Sequence, residues 1–222
     1  MRDSIKFLPE RFARTYGGGM FAEIRETLGG DALARKLAQT LRAKNVIGKS
    51  NPTDTDKGVY QSETGEITAD IGKKTLQVVT KRLEGAVFKK NESIRLDAMT
   101  VTECSVPASL TAITLDSAPS LRDSKRILLV AATMAVSENT VFNNERFDVE
   151  IDFGKFPVLY RSGRFALTLA TRSTKAPAVY ALNLDGTRER KLDAAFENGM
   201  LSLAFDTSKF EYGTPFFEIV YP

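Results

Sequence analysis

The sequence predicts a mainly β fold, an antiparallel β-sandwich preceded by a short N-terminal helical segment. Three observations carry this expectation. After Gly65 the hydrophobic period changes from 3.6 to 2. From there on, short apolar runs follow one another at regular spacing, with no helical pattern between them. The connections hold Asp185-Gly186 and Asn198-Gly199, and Asp-Gly and Asn-Gly readily take the positive φ values that hairpin turns need.

Residues 1–49 read as the helical segment. In 31–44, Leu33, Leu37 and Leu41 recur on one face, with Arg35, Lys36 and Arg42 elsewhere. Asp31 suits the positive N-terminal end of this helix and Lys44 its negative C-terminal end. A shorter amphipathic helix is expected over 20–28, stopped by Gly29-Gly30. The glycines of 16–19 lack the Gly-Lys-Ser/Thr continuation of a phosphate-binding loop and read as a turn. Residues 50–61 have a linker's composition, rich in Pro, Asp and Thr. The β domain then runs over 62–222, with strands expected at 66–71, 75–80, 84–89, 93–104, 109–116 and 126–136. Further strands are expected at 156–161, 164–171, 178–185, 201–205 and 216–222. Gly85, inside a strand, marks a bulge or a close backbone approach.

The bulk properties narrow the chemistry. A chain of 222 residues, 42% apolar and 27% charged, has the length and composition of a folded globular protein. It contains no histidine, which removes His-based triads and His-ligated zinc. Cys104 stands alone, so no intrachain disulfide forms, and burial as a small apolar side chain is expected. The longest apolar stretch, 127–136, falls short of the roughly 18 residues of a membrane span, so no membrane partner is expected. The N-terminus has acids and no apolar core, so no signal peptide is expected. Residues 1–50 hold ten Lys/Arg against five Asp/Glu, but without the aromatic interleaving of a nucleic-acid surface. No nucleic-acid partner is expected.

The β-rich part carries an ordered series of short motifs. They are SETGEITADIGKKTLQVVTKRLEGAVF (62–88), SLTAITLDSAPSLRDSKRILLVAAT (109–133), NTVF, FGKFPVLY, PAVYALNLDGTR and GMLSLAFDTSKFEYGTPFFEIVY (199–221). This series resembles the C-terminal β-rich accessory region of large bacterial glycoside hydrolases, the cellulase-like and β-galactosidase-like enzymes built on a TIM barrel. The likeness spans residues 62–221. It departs from the family at three places. Ala69 stands where Trp is usual, Lys81-Arg82-Leu83-Glu84 replaces Pro-Arg-x-Gln, and Phe216-Phe217 replaces Trp-Tyr.

The resemblance implies a non-catalytic accessory region of a glycoside hydrolase, supporting or shaping the barrel. The catalytic carboxylates would lie at strand ends of the barrel, outside this chain. The implied partner is that catalytic barrel domain, with a polysaccharide as a further ligand. Two alternatives remain, a carbohydrate-binding module and a stand-alone structural or assembly protein.

Four groups of residues are candidates for chemistry. Glu63, Glu66 and Asp70 could form an acid pair, but they read as turn and strand-end residues facing solvent. Asp148, Glu150 and Asp152 alternate, so an extended strand presents all three on one face. Clustered hard oxygens suit a structural calcium, while the same row suits a charged strand edge. Tyr160 and Tyr180 are the candidate carbohydrate-binding residues, as strand aromatics able to stack on a sugar. Ser124 and Lys125 are adjacent, so on a strand they point to opposite faces and cannot act as a dyad.

Overall fold

The fold was obtained as a computed structural model, which describes residues 30–144, 149–210 and 213–222. It divides into two compact units, one ending at Gly72 and the other spanning Lys73–Pro222. The described residues are mainly β, in antiparallel sheets, with one α-helix near the N-terminus. The helix expected at 20–28 and the glycines of 16–19 lie outside the described residues.

In the first unit, helix α1 (Gly30–Ala43) matches the predicted amphipathic stretch. Asn45 terminates it in the left-handed region at φ 55°. Asn45 N donates to Arg42 O at 3.0 Å and Val46 N to Leu41 O at 2.9 Å, the paired bonds that close a helix C-terminus. Asn is one of the few side chains that tolerates this conformation. Strands β1 (Val59–Gln61) and β2 (Ile67–Asp70) form an antiparallel hairpin. Its turn is built by Ser62, whose carbonyl accepts from Gly65 N at 3.0 Å and whose hydroxyl accepts from Ile67 N at 3.1 Å. Within the stretch of linker-like composition, buried Asn51 donates to the Gln61 and Ser62 carbonyls at 3.3 and 3.0 Å and accepts from Thr53 N at 3.0 Å.

In the second unit the strands run β3 (Thr75–Val79), β4 (Leu83–Phe88), β5 (Ile94–Arg95), β6 (Met99–Cys104) and β7 (Ala108–Thr114). They continue with β8 (Arg126–Ala132), β9 (Ala135–Glu138), β10 (Val141–Phe142), β11 (Glu150–Asp152) and β12 (Lys155–Tyr160). The last are β13 (Arg164–Ala170), β14 (Ala178–Leu182), β15 (Arg188–Leu192), β16 (Ala194–Glu197), β17 (Met200–Asp206) and β18 (Phe216–Val220). The larger sheet has the order β3-β4-β7-β8-β18-β14-β15. The smaller has the order β16-β17-β13-β6-β5. Two further ribbons, β9 with β12 and β10 with β11, belong to neither.

The core lies where the alternation puts it. Along β7, β8, β13 and β17 every second residue is buried. Leu110, Ile127, Leu129 and Phe217 from the larger sheet share one apolar cluster with Met99, Leu167, Leu201 and Leu203 from the smaller. Phe205 and Phe217, one from each sheet, have ring centroids 4.3 Å apart. Cys104 is fully buried in this cluster, as expected.

The predicted turns form with their expected chemistry. Asn198 (φ 51°) and Gly199 (φ 74°) make the two-residue connection between Glu197 and Met200. The Asp185-Gly186 turn joins β14 to β15, with Asp185 accepting from Thr187 N at 2.9 Å.

Two long predicted strands are broken. The 93–104 stretch splits into β5 and β6, which fold back on each other as a tight hairpin with Arg95 opposite Thr100, and the Ala98 (2.8 Å) and Met99 (2.9 Å) amides at its turn donate to the Glu84 carboxylate. The 126–136 stretch splits into β8 and β9. At Thr133 the chain leaves the larger sheet, with Thr133 N donating to the Tyr160 hydroxyl at 2.8 Å and Thr133 Oγ1 to Arg161 O at 2.5 Å.

Candidate functional site

The segment between β8 and β13 is the most unusual surface of the second unit. It leaves the larger sheet after β8 and enters the smaller sheet at β13, forming between them an arm made of the two ribbons. At its base, Tyr160 pairs with Ala135 and Leu159 with Val136. Farther out, Val141 pairs with Asp152 and Phe142 with Glu150. The register shifts between Lys155 and Val158, where Phe156 and Pro157 stand out of the ladder. A proline has no N–H to give, so it is accommodated at such an irregularity.

The arm exposes what a folded chain ordinarily hides. Phe156 is 90% exposed, Phe153 73% and Ile151 65%, and Val149, Val158 and Leu159 are exposed beside them. Its described acids, Glu138, Glu150 and Asp152, outnumber its described bases, Lys155 and Arg161. A two-stranded ribbon alone is marginal in water, and it gains stability by packing its apolar residues on another surface. Gly154 sets the arm's shape. Its φ is +65°, and a Cβ there would come within 2.3 Å of Glu138 O and 2.7 Å of Thr140 N.

The residues singled out in the sequence fall into different places. Glu150 and Asp152 are exposed on β11, and Asp152 Oδ1 accepts from Gly154 N at 2.9 Å. Asp148 lies outside the described residues. Among the described residues, no group of three or more metal-ligating side chains comes together. Tyr160 anchors the arm. Its hydroxyl donates to Ala131 O as well as accepting from Thr133 N. Tyr180 sits half-buried on β14, with the Arg188 guanidinium 4.1 Å from its ring centroid. One face of that ring is therefore covered by a cation. The structure places Tyr160 in the arm and Tyr180 in the larger sheet.

In the first unit, Glu63 and Glu66 are exposed in the β1–β2 turn, and half-buried Asp70 pairs with Val59 at the far end of the hairpin. In the second, Ser124 lies 2.9 Å from Asp116 Oδ1, and the Lys125 main-chain N–H donates to Asp116 Oδ2 at 2.7 Å. Both residues thus use the same carboxylate to shape the entry to β8.

The two buried carboxylates among the described residues were not anticipated. Glu84 is 2% exposed and accepts only backbone amides. Burial raises its pKa above the ordinary glutamate value, although the Met99 and Ala98 amides oppose the shift. Glu218 is equally buried, in β18. Burial pulls its pKa up too, but bonds from Arg188 (2.7 Å) and Arg126 (2.6 Å) outweigh it and hold the carboxyl below the usual range. A Glu inside an apolar strand, as in LEGAVF or FFEIV, is the signal that marks both. Their acceptor capacity is spent on the fold, which makes them structural groups.

Comparison with known protein families, with curated proteins and with solved structures finds no match to this chain.

Proposed function

We propose that this chain is a non-catalytic accessory region of a glycoside hydrolase, whose second unit is a β-sandwich that docks on the catalytic domain through the arm. One observation carries the reading, the exposed apolar side chains of Val141, Val149, Ile151, Phe153, Phe156, Val158 and Leu159 on two ribbons that pair with no third strand among the described residues. Exposed apolar surface of this density marks a contact with another macromolecule. The ordered motif series over 62–221 supplies the class of partner. The acids Glu138, Glu150 and Asp152 supply its chemistry, an apolar surface rimmed by Lys and Arg.

The test has two parts. The coding DNA upstream of the Met1 codon should read in frame into about 250 residues of alternating strand and helix, the length of a TIM barrel. A stop codon directly upstream would remove the accessory reading. In the full polypeptide, Ile151→Ser with Phe156→Ser should lower the melting temperature of the catalytic domain and leave the β unit's own melting unchanged. An unchanged catalytic domain would show that the arm is not its docking element.

A further inference from the structure

Within the second unit, an open cavity of about 370 Å³ lies where β3 and β5 come together. β3 is the outermost strand of the larger sheet in this unit and contributes Thr75 and Gln77. β5 ends the smaller sheet and, with the residues just before it, contributes Glu92, Ser93, Ile94 and Arg95. The volume falls in the range of about 300–1,000 Å³ that small-molecule sites occupy.

The direction of the β3 side chains is the first observation. Gln77 pairs with Ala86, and Val79 pairs with Glu84. Side chains directly opposite one another share a face of the sheet. Ala86 belongs to the apolar core, and Val79 packs against it. Gln77 therefore points to the core side, and by alternation Thr75 does too. On β4, β7 and β8 that side carries Phe88, Leu110 and Leu129. A strand that only closed the core would continue this apolar row. β3 instead places a hydroxyl and an amide there, both half-buried. Beneath them Ile94, 6% exposed, gives the cavity an apolar floor.

The second observation is that these polar groups are unspent. Among the described residues, the side chains of Thr75, Gln77, Ser93 and Arg95 form no hydrogen bond or ion pair. Glu92 is fixed in place, with Lys89 N donating to its Oε2 at 3.2 Å and the Lys89 ammonium 3.9 Å from its Oε1. The two hydroxyls and the amide each donate and accept, Glu92 accepts and Arg95 donates. The charges, Lys73 and Arg95 against Glu92, nearly balance. An apolar ligand would leave these donors and acceptors unpaired, which costs free energy. An anion would face Glu92 and the carbonyl of Gln77. A neutral ligand rich in hydroxyls, each of them donor and acceptor, satisfies the whole set. A sugar ring adds an apolar C–H face to set against Ile94.

We propose that this cavity binds a sugar unit, with Gln77 and Arg95 as its principal hydrogen-bonding side chains. The planar amide and guanidinium groups can each bond two adjacent hydroxyls at once. The site uses neither Tyr160 nor Tyr180. It does not rest on the docking reading, since no arm residue lines it.

Amide chemical-shift mapping of the isotope-labelled full chain tests this with cellobiose, lactose and mannobiose, each against sorbitol at equal concentration. Saturable shifts centred on residues 73–77 and 92–95 are expected from at least one sugar and not from sorbitol. Gln77→Leu keeps the length of the side chain and puts an apolar group on a core-facing position, so without sugar it should melt no lower than the parent. Its affinity for the responding sugar should fall about fivefold or more, the loss of one to two hydrogen bonds. Arg95→Met, altered at an exposed side chain without a partner among the described residues, should weaken binding to a similar extent. Ile151→Ser with Phe156→Ser, in the arm, should leave the affinity unchanged. No saturable shift from any of the three sugars, equal shifts from sorbitol, or undiminished affinity in both Gln77→Leu and Arg95→Met would overturn the proposal.

Discussion

Gly85 lies opposite Thr111 across β4 and β7, and a Cβ built on it would stand 2.5 Å from Thr111 Oγ1, 3.0 Å from Cγ2 and 3.1 Å from Cβ. Rotating Thr111 moves the first two atoms but not the third. The backbones must therefore separate if any side chain is added. Gly85→Ala is expected to destabilise the second unit by about 1–3 kcal/mol, the usual range for overpacking. In a Thr111→Ala background the same change should cost clearly less, because two of the three crowding atoms are gone. Urea unfolding of the four variants measures the coupling, and equal costs in both backgrounds would show that the crowding is not with Thr111. The sequence flagged Gly85 as a bulge or a close approach, and the unbroken β4–β7 register decides for the approach. Which side chain approaches it could not be read, since a cross-strand neighbour is fixed by pairing 26 residues away in the chain. The same limit hid the roles of Glu84 and Glu218. Each is conspicuous in an apolar run, yet the amides and guanidinium groups that satisfy it arrive from elsewhere in the fold.

At the scale of elements, alternation and turn chemistry made most of the larger and smaller sheets legible. Strands β7, β13 and β17 fall where the period-2 runs placed them, and the Asn-Gly hairpin closes as that dipeptide dictates. The arm was not legible. Val149, Ile151 and Phe153 alternate with acids, a pattern that argues a strand with one buried face. Nothing in the pattern says whether the burying surface belongs to the same unit. The break at Thr133 was equally hidden, because it is enforced by the Tyr160 hydroxyl from the returning strand. Gly154 offers a direct test of the arm as a separate element. Its positive φ and the nearby Glu138 and Thr140 backbone atoms exclude a side chain. Gly154→Ala should therefore open the ribbons and speed amide exchange over 135–160 by roughly tenfold or more, the equivalent of about 1.4 kcal/mol or more of local stability. Exchange in β13 and β17 should stay unchanged, since the core cluster does not include arm residues. Equal acceleration in those strands would show that the arm and the core open as one cooperative unit.

For the molecule as a whole, the perturbed titratable groups set the shape of stability against pH. Two bonds in each case lower Asp123, Asp185 and Asp206. Asp123 accepts from Ser120 and Arg172, Asp185 from the Thr187 side chain and amide, and Asp206 from the Ser208 side chain and amide. In Asp116 and Glu218, burial is outweighed by bonds from Lys125 N and Ser124 and from Arg188 and Arg126. A carboxyl with a lowered folded pKa contributes stability above its unfolded value of about 4, and that contribution is lost as pH falls through the folded value. Glu84 has the opposite sign. Its raised pKa means that folding favours its protonated form, so its contribution weakens as pH climbs from about 4 toward the raised value. The lowered groups outnumber it, and the net acid limb should slope toward unfolding below about pH 4. At the alkaline end, burial raises Cys104 and Tyr221. Both favour the protonated fold, so stability should decline from about pH 8.5, where an unfolded thiol ionises, and further from about pH 10, where an unfolded phenol does. Urea unfolding followed by far-ultraviolet circular dichroism from about pH 3 to 11 should give a dome with both limbs. Glu218→Gln should flatten the acid limb, because the amide keeps a hydrogen bond to Arg126 or Arg188 but has no charge to lose. Tyr221→Phe should flatten only the part of the alkaline limb above about pH 10. An acid limb of undiminished slope in Glu218→Gln would mean that the hydrogen-bonded aspartates Asp116, Asp123, Asp185 and Asp206, rather than the Arg126–Glu218–Arg188 cluster, govern acid unfolding.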